Sequence, residues 1–454
     1  MSDPHFSHIF GHTQEQLQQL AQDVLGYAKA QGGTDCAVDI SEGSGLSVSV
    51  RKGKVETIEQ NRDKGMGVTV YVGQRRGDAS TSDFSPAALK ATVEAAYNIA
   101  RFTAADDCAG LPDADLFELA PPDLQLFYPW DIDAAGAAAL AQRAEAAAFA
   151  VDPRVTNSEG AGVHVQQSHF VSANSRGFMG GYPFSRHSLS VAPITGRGAN
   201  MQRDDWYTSV RDASRMASPE AIGRYAAERA LARLNARSIT TRTCPVLFEA
   251  PLAIGLLGAY VQATSGGALY RKSTFFVDAL GRQVLPSHVQ IHEDPHVIGA
   301  VGSAPFDDEG VKTRARDVVK DGVVQGYFLS TYSARKLGMH TTGNAGGSHN
   351  LSLTSTLTAP GDDFAGMLRK LGTGLLVTEL MGQGTNYVTG DYSRGASGFW
   401  VESGVIQYPV EEITIAGNMK DMLAQIVAVG NDTLMRGTKQ TGSILLEKMV
   451  VGGA

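Results

Sequence analysis

The stretch Cys244–Gly267, CPVLFEAPLAIGLLGAYVQATSGG, reads as an apolar strand that turns at Pro251 into an apolar helix. Apolar side chains recur on nearly every side of this helix: Leu252, Ile254, Leu256, Leu257, Tyr260 and Val261. A helix that is apolar all round is normally buried at the centre of a domain. The stretch therefore predicts the middle of a core, and its helix, 252–263, carries no histidine, carboxylate or thiol that could bind a metal.

Strands and turns are predicted for most of the chain that follows this helix. VVKDGVVQGY (318–327) and WVESGVIQYP (400–409) each consist of an apolar run, a polar turn with glycine and a returning run, which is typical of a β-hairpin. Short helices are predicted at Ser333–Leu337 and Asp363–Leu371. For residues 241–454 we expect a β-rich C-terminal domain, a twisted antiparallel sheet or half-barrel around the buried helix.

The N-terminal part predicts helices and antiparallel strands. Thr13 opens a helix with a capping box, and a serine-proline pair at 85–86 opens another. Between them, Cys36–Ile40 and Leu46–Val50 alternate apolar and polar residues, as half-buried strands do. These elements predict an N-terminal α+β unit over residues 1–110.

A linker and a middle unit follow. Residues 111–130 contain four prolines and no periodicity, which is typical of a linker. An alanine-rich helix from Asp131 to Phe149, short alternating pieces over 163–191 and a helix opened by serine and proline at 218–219 predict a middle α/β unit, 131–240. The expected fold class of the whole chain is therefore α+β.

Composition narrows the functional classes. The 454 residues carry a formal charge of −8 without a cluster of Lys or Arg, which argues against a nucleic-acid partner. The three cysteines are far apart and form no C-x-x-C pair, which suits a reducing compartment. No signal peptide and no apolar run of 18 residues is visible, so we expect a cytoplasmic protein without a membrane partner.

One local motif suggests a metal site. His292 to His296, HEDPH, satisfies H-E-x-x-H, and His288 lies four residues earlier. Pro295 would break the helix that this zinc motif requires. A strand that enters an Asp-Pro turn fits better, and a loop-borne metal site at His288, His292 and His296 remains the alternative.

A glycine-rich stretch suggests a binding loop. TTGNAGGSHN, 341–350, is interpreted as a mobile loop over a cleft, with a plain hairpin loop as the alternative. His340, Asn344 and His349 would be its polar contacts with a substrate. The carboxylates at 307–309 are interpreted as an acidic turn before Gly310.

Long blocks of the chain closely resemble the PmbA, or TldE, branch of the TldD/PmbA proteins: Phe306–Gly347, Arg51–Phe84 and the ending Ile426–Asp432 with VVGG at 450–453. The resemblance implies three successive segments and a bacterial cytosolic setting. It also implies a heterodimer of one TldD-type and one PmbA-type subunit that acts as a peptidase on unfolded or modified peptides, including microcin maturation. "Modulator of DNA gyrase" is an older label of the family, and nothing in the sequence indicates binding to gyrase or DNA.

The resemblance also implies where this chain departs from its metal-binding relatives. The TldD branch carries zinc on an H-E-x-x-x-H helix, with a cysteine near the C-terminus as a further ligand. Laid over that helix, Leu257 and Gly258 stand where the first His and the Glu would be, and Gln262 stands where the second His would be. No cysteine follows Cys244. The resemblance therefore implies no catalytic residue and no metal in this chain, with zinc in the TldD-type partner.

The predicted function follows from these two implications. We expect a subunit of a TldD-type zinc metallopeptidase that contributes to the substrate cleft, has no activity without its partner, and can form a homodimer when alone. One alternative is an autonomous metallohydrolase that uses the HEDPH stretch. The other is a non-catalytic homodimeric scaffold that binds peptides.

Overall fold

The N-terminal half of the chain is built from one large sheet and the helices that cover it. The computed structural model describes residues 8–453 and has the predicted α+β class. The helices of this half are α1 (Gln14–Gln31), α2 (Pro86–Phe102), α3 (Ala134–Phe149) and α4 (Pro219–Ala232). The strands are β1 (Asp35–Arg51), β2 (Lys54–Val72), β3 (Arg75–Thr81), β4 (Val155–Asn174), β5 (Met179–Gly180), β6 (Pro183–Thr195), β7 (Gln202–Arg203) and β8 (Trp206–Val210).

Local sequence signals explain where these helices begin. Thr13 accepts a hydrogen bond from the backbone N–H of Gln16, whose side chain accepts one from the Thr13 N–H, so the predicted capping box is confirmed. Ser85 and Ser218 each cap a helix whose first residue is proline, also as predicted. These caps satisfy backbone N–H groups that would otherwise lack a partner.

One sheet runs through both N-terminal segments, in the order β3-β2-β1-β4-β6-β7. β1 is antiparallel to β2 and β4 along almost its whole length, from Ala37 opposite Asn174 to Val50 opposite Ala161 on the β4 side. The separate strands predicted at Cys36–Ile40 and Leu46–Val50 are therefore wrong, because they are the two ends of one strand. The middle of β1 lies between two helix pairs, so apolar alternation stops there although the strand continues.

All four helices lie on the same face of this sheet. Val38 and Ile40 pack with α1 and α2, while Val48 and Val50, an even number of residues further along β1, pack with α3 and α4. The opposite face of β1 presents small or polar residues: Asp39, Ser41, Gly43, Gly45 and Ser47. The sheet therefore has one apolar, covered face and one polar face that is open for contacts with other parts of the molecule.

The C-terminal region is β-rich, as predicted. Its helices are α5 (Ala250–Ala263), α6 (Gly266–Tyr270), α7 (Thr331–Leu337), α8 (Phe364–Leu371) and α9 (Met419–Ala424). Its strands are β9 (Arg242–Phe248), β10 (Val289–Glu293), β11 (Arg316–Lys320), β12 (Val323–Val324), β13 (Leu351–Ser355), β14 (Gly374–Met381), β15 (Asp391–Glu402), β16 (Val405–Asn418), β17 (Ile426–Val429), β18 (Leu434–Arg436), β19 (Lys439–Thr441) and β20 (Ile444–Gly452).

Two sheets organise this region. One has the order β12-β11-β10-β13-β19-β18. In the other, β16-β15-β14-β9-β20 closes into a barrel of five strands because β16 also pairs with β20. The architecture thus combines a curled half-barrel sheet with a closed barrel, and the predicted half-barrel class is confirmed.

The helix α5 lies in the core between these sheets and contacts β14, β18 and β19. Leu257 and Tyr260 are fully buried, and both belong to the main cluster of the C-terminal region. Gly255 and Gln262, however, are exposed, so the expectation of burial on nearly every side is wrong for one side of the helix. Glycine and glutamine occupy this side because it is open to solvent.

Both predicted hairpins are present, and their turns have the same backbone geometry. Asp321 and Gly322 have φ angles of 51° and 75°, and Ser403 and Gly404 have 51° and 76°. Two successive positive φ angles are typical of the tight turns that match the twist of β-hairpins. Within residues 8–453, no helix is long and apolar enough to cross a membrane.

Candidate functional site

The three helix positions that correspond to the zinc motif lie in different environments. Leu257 is fully buried in the core, whereas Gln262 is exposed. Gly258 lies between them and faces open space, since a Cβ added there would meet no atom within 4 Å. These side chains do not converge on one point, and none of them supplies a strong donor for zinc.

The three histidines of the HEDPH stretch also lie in separate environments. The predicted strand is confirmed as β10, and each ring has its own neighbours. His288 hydrogen-bonds to a serine hydroxyl and a backbone carbonyl, at 2.8 and 3.1 Å. The exposed His292 pairs with Asp317 at 2.8 Å, and His296 contacts Thr313 at 3.1 Å. In the described range, 8–453, no three His, Cys, Asp or Glu side chains form a group that could hold a metal.

A cleft of about 560 Å³ separates the open face of the N-terminal sheet from loops of the C-terminal region. Asp39 on β1 and both Phe170 and Ser172 on β4 line one side. Residues 301–304 and 306–308 and residues 345–349, which belong to the glycine-rich loop, line the other. The cleft therefore joins parts of the chain that are far apart in sequence.

Glu293, at the end of β10, anchors the glycine-rich loop. Its carboxylate accepts hydrogen bonds from the Asn344 side chain (2.8 Å), the His349 backbone N–H (2.8 Å) and Arg316 Nε (2.7 Å), and it is 1% exposed. Burial alone would raise its pKa, but the hydrogen bonds from His349 and the charge of Arg316 lower it. The loop expected to be mobile is thus held by buried hydrogen bonds.

The three residues that were predicted to contact a substrate lie in different environments. His349 lines the cleft. Asn344 is buried behind it and binds Glu293. His340 is exposed and does not line the cleft. The side chains of the loop thus divide between supporting the loop and facing the cleft.

Asp307 is a second anchor, which the interpretation as an acidic turn missed. The turn is present, since the Asp307 carboxylate accepts hydrogen bonds from the backbone N–H groups of Glu309 and Val311 at 2.9 Å. A third bond, 3.0 Å from the Ala345 N–H, ties it to the glycine-rich loop. Burial, with the negative charge of Glu309, raises the pKa of Asp307 to about 7. Only burial distinguishes it from an ordinary turn residue, and the sequence does not show burial.

Asp39 and Asp308 are the carboxylates that the cleft leaves accessible. Ser172 donates a hydrogen bond to Asp39. Both side chains are exposed to solvent in part, yet desolvation by the surrounding protein raises both pKa values. The negative charge of Asp39 raises the pKa of Asp308 further. Gly346 packs against Asp308 so closely that a Cβ would collide with its carboxylate. The pair gives the cleft acceptors for backbone N–H or ammonium groups.

Arg211 ties the two walls of the cleft together. Its guanidinium donates to the backbone carbonyls of Ala300 (2.9 Å), Val301 (2.8 Å) and Ser185 (3.2 Å). Burial lowers its pKa to about 10. The residue crosslinks the sheet and the loop at 300–301, so the width of the cleft is set by hydrogen bonds.

Three family models match successive parts of the chain. They describe the PmbA/TldA metallopeptidase domain 1 over residues 36–100, the central domain over 127–234 and the C-terminal domain over 241–453. The chain belongs to the PmbA/TldD metallopeptidase family. The resemblance stated from the sequence is confirmed.

PmbA relatives align with nearly the whole of this chain. It is 48% identical over 425 residues to the metalloprotease PmbA of Escherichia coli O157:H7, covering 93% of this chain and 94% of that protein. It is 46% identical to a PmbA homologue of Haemophilus influenzae, covering 97% of each. A TldD homologue of the same organism is 27% identical over 235 residues, 50% of this chain and 48% of that protein.

Solved structures of family members share the fold. A Bacteroides thetaiotaomicron protein, described provisionally as a modulator of DNA gyrase, superposes with a TM-score of 0.90 at 26% identity, covering 97% of this chain and all of that one. TldE from Thermococcus kodakarensis superposes with a TM-score of 0.82 at 18% identity, covering 96% and 100%. The latter likeness supports the fold alone.

Proposed function

We propose that this chain is the PmbA/TldE-type subunit of a heterodimeric zinc metallopeptidase, that it has no zinc ligands of its own, and that it acts with a TldD-type partner on unfolded or modified peptides. The observation that carries the proposal is the match to PmbA over nearly the whole chain, 48% identical over 425 residues, together with Leu257, Gly258 and Gln262 at the positions that correspond to the zinc motif.

The donor set does not fit the zinc that the family name implies. A catalytic zinc needs about three protein donors and an open position for water. Leu257 and Gly258 offer no donor atom in their side chains, and Gln262 is a poor ligand that points into solvent. His288 is occupied by two other hydrogen bonds, and His292 by Asp317. We therefore assign no hydrolytic step to this chain.

The similarity pattern supports a partner of the same family. Haemophilus influenzae has both a PmbA homologue and a TldD homologue, and this chain is similar to each, to the former over nearly its full length. Two subunits with one fold can pair through equivalent surfaces, as two identical copies do. A homodimer of this chain in the absence of its partner is expected on the same ground. Its three cysteines are free, as suits a cytoplasmic setting.

The cleft supports a role for this subunit in binding the substrate. Asp39 and Asp308 are accessible acceptors for the N–H groups of an extended peptide or for its ammonium groups. Glu293, Asp307 and Arg211 fix the walls, so little conformational entropy is lost when a peptide binds. A rigid cleft that combines accessible carboxylates with the aromatic rings of Phe170, Phe184 and Phe306 can contact both the backbone and the apolar side chains of a peptide.

A peptidase assay of this chain, a TldD-type partner and the two together tests the proposal. We expect hydrolysis only in the mixture, and no stoichiometric zinc in this chain alone. Replacing Asp39 and Asp308 by asparagine should raise the KM of the mixture, while the control Asp115→Asn, an exposed site outside the cleft, should leave it unchanged.

Three outcomes would contradict the proposal. Zinc bound by the isolated chain and lost in His292→Ala would favour the autonomous metallohydrolase. Partner activity that does not change when this chain is added would favour the non-catalytic scaffold. An unchanged KM in the double variant would exclude the cleft as the peptide site.

A further inference from the structure

A second, smaller cavity lies beside α5, away from the cleft. It has a volume of about 120 Å³ and is bounded by α5, by the segment that follows β14 and by the start of β15. Its walls combine apolar and aromatic residues with two polar ones, Gln383 and Thr385; the apolar and aromatic residues are Phe248, Leu252, Leu256, Ala259, Leu380, Tyr387, Tyr392 and Met419. Gly255, on the open side of α5, Gly384, and Arg394, on β15, complete the lining.

Arg394 is the charged group of this cavity. Its Nε is buried and has no hydrogen-bond partner. None of the ion pairs formed within residues 8–453 includes Arg394, and its neighbours in the cavity wall are the tyrosines at 387 and 392. Burial raises the pKa of Tyr392 to about 12 although the Arg394 charge opposes this, so the tyrosine is neutral and cannot balance the charge. The cation therefore has the neutral Tyr392 hydroxyl as a polar partner but no negative one.

A half-buried guanidinium whose Nε is unpartnered and which has no carboxylate in ion-pair contact suits an anionic ligand. Removing an arginine N–H from water costs free energy unless an acceptor replaces the water, and a carboxylate matches the planar fork of the guanidinium. The cavity holds about four water volumes of roughly 30 Å³ each, which is room for a carboxylate and a small side chain. A nucleotide or a large cofactor would not fit into this space.

We propose that this cavity binds the C-terminal carboxylate of a peptide, with the carboxylate on Arg394 and a small apolar last side chain against Leu252 and Leu256. The inference rests on the proposed function in one respect, that the chain handles peptides. It adds a site for the end of the chain that is separate from the acidic cleft, where a carboxylate would be repelled by Asp39 and Asp308.

Binding of short peptides to the purified chain alone tests this site by calorimetry. N-acetylated trialanine should bind, and the same peptide with a C-terminal amide should bind at least about tenfold more weakly, because a charge-assisted bidentate pair is lost. Arg394→Gln should remove the preference for the acid, and Arg394→Lys should keep part of it. The matched control is Arg369→Gln, an exposed arginine on α8.

A second variant blocks the cavity without changing Arg394. A Cβ at Gly255 would meet no atom within 4 Å, so Gly255→Leu has room to place its side chain in the cavity. Leucine also favours a helix more than glycine does, so the variant should fold at least as well as the wild type. We expect it to lose binding of the acid peptide while its melting temperature does not fall.

Four results would overturn the inference: no saturable binding of the acid peptide, equal binding of acid and amide, an acid preference that persists in Arg394→Gln, or normal binding by Gly255→Leu. An amidated peptide with an internal aspartate that binds as tightly as the acid would overturn the assignment to a chain end. Because the experiment needs no partner subunit, its failure beside an active two-subunit peptidase would reject this site and leave the proposed function intact.

Discussion

Replacing Glu293 by glutamine tests whether a buried anchor holds the glycine-rich loop in place. The carboxylate is 1% exposed and accepts bonds from Asn344, the His349 backbone and Arg316. Glutamine keeps the shape and one acceptor oxygen. It puts an NH₂ group against either the Arg316 guanidinium or the donors of the loop, and it leaves the buried side of Arg316 without a counter-charge.

The expected cost follows from this geometry. Breaking a buried ion pair by removing one partner costs about 3–5 kcal/mol. For a region of roughly 200 residues this corresponds to a fall in melting temperature of roughly 6–20 °C. The pKa of Glu293 is lowered in the folded chain, so its stabilisation is present above the ordinary glutamate pKa and is lost as the pH falls through the lowered value.

Thermal melting and hydrogen exchange measure the effect. Glu220→Gln is the matched control, because Glu220 also pairs with an arginine, Arg143, but at the surface, where such a pair contributes about 0–1 kcal/mol. The amide of His349, which donates to Glu293, should lose protection in the Glu293 variant only. If both variants melt at the same temperature, or if the His349 amide stays protected, the idea of a buried anchor is refuted.

Three further outcomes are expected. Because the pKa of Asp307 is raised to about 7, its contribution to stability is present below about pH 4 and is lost as the pH rises through 7. Asp307→Asn should therefore flatten the change in melting temperature between pH 5 and pH 8. An unchanged slope would contradict this. Cys108 should react with iodoacetamide in the native protein before Cys36, because Cys36 is buried and burial raises its pKa to about 12. Mass spectrometry of labelled peptides measures the order, and the opposite order would contradict the burial of Cys36. Gly26→Ala in α1 should raise the free energy of unfolding by about 0.5–1 kcal/mol, because a Cβ there would meet no atom within 4 Å. Gly223→Ala should lower it by about 1–3 kcal/mol, because its Cβ would collide with the backbone of α3. Chemical denaturation of both variants should show these opposite changes.

Local signals predicted individual elements well. The capping box at Thr13, the proline-first helices after Ser85 and Ser218 and the two hairpin turns each depend on a few neighbouring residues. Prediction failed where an element's structure depends on residues far away in the sequence that pack against it. The sequence predicts two strands in place of β1 because its middle carries no apolar alternation, and it predicts an enclosed α5 although Gly255 and Gln262 are exposed.

The cleft could not be predicted in the same way. Its loop was recognised from its glycines, yet the sequence does not tell which of its polar residues face the cleft. Asp39 and Asp308 meet only because the open face of the N-terminal sheet packs against C-terminal loops. Asp307 and Glu293 look like surface carboxylates until burial and their backbone donors are known.

The family, the α+β class and the lack of metal donors along 252–263 can be predicted from residue types and their order. Tertiary packing determines which carboxylates share a cleft and which histidines stay apart, and it places Arg394 in a cavity wall without a counter-charge. Burial and charge compensation are properties of groups brought together from distant parts of the chain, and a linear pattern carries no record of those distances.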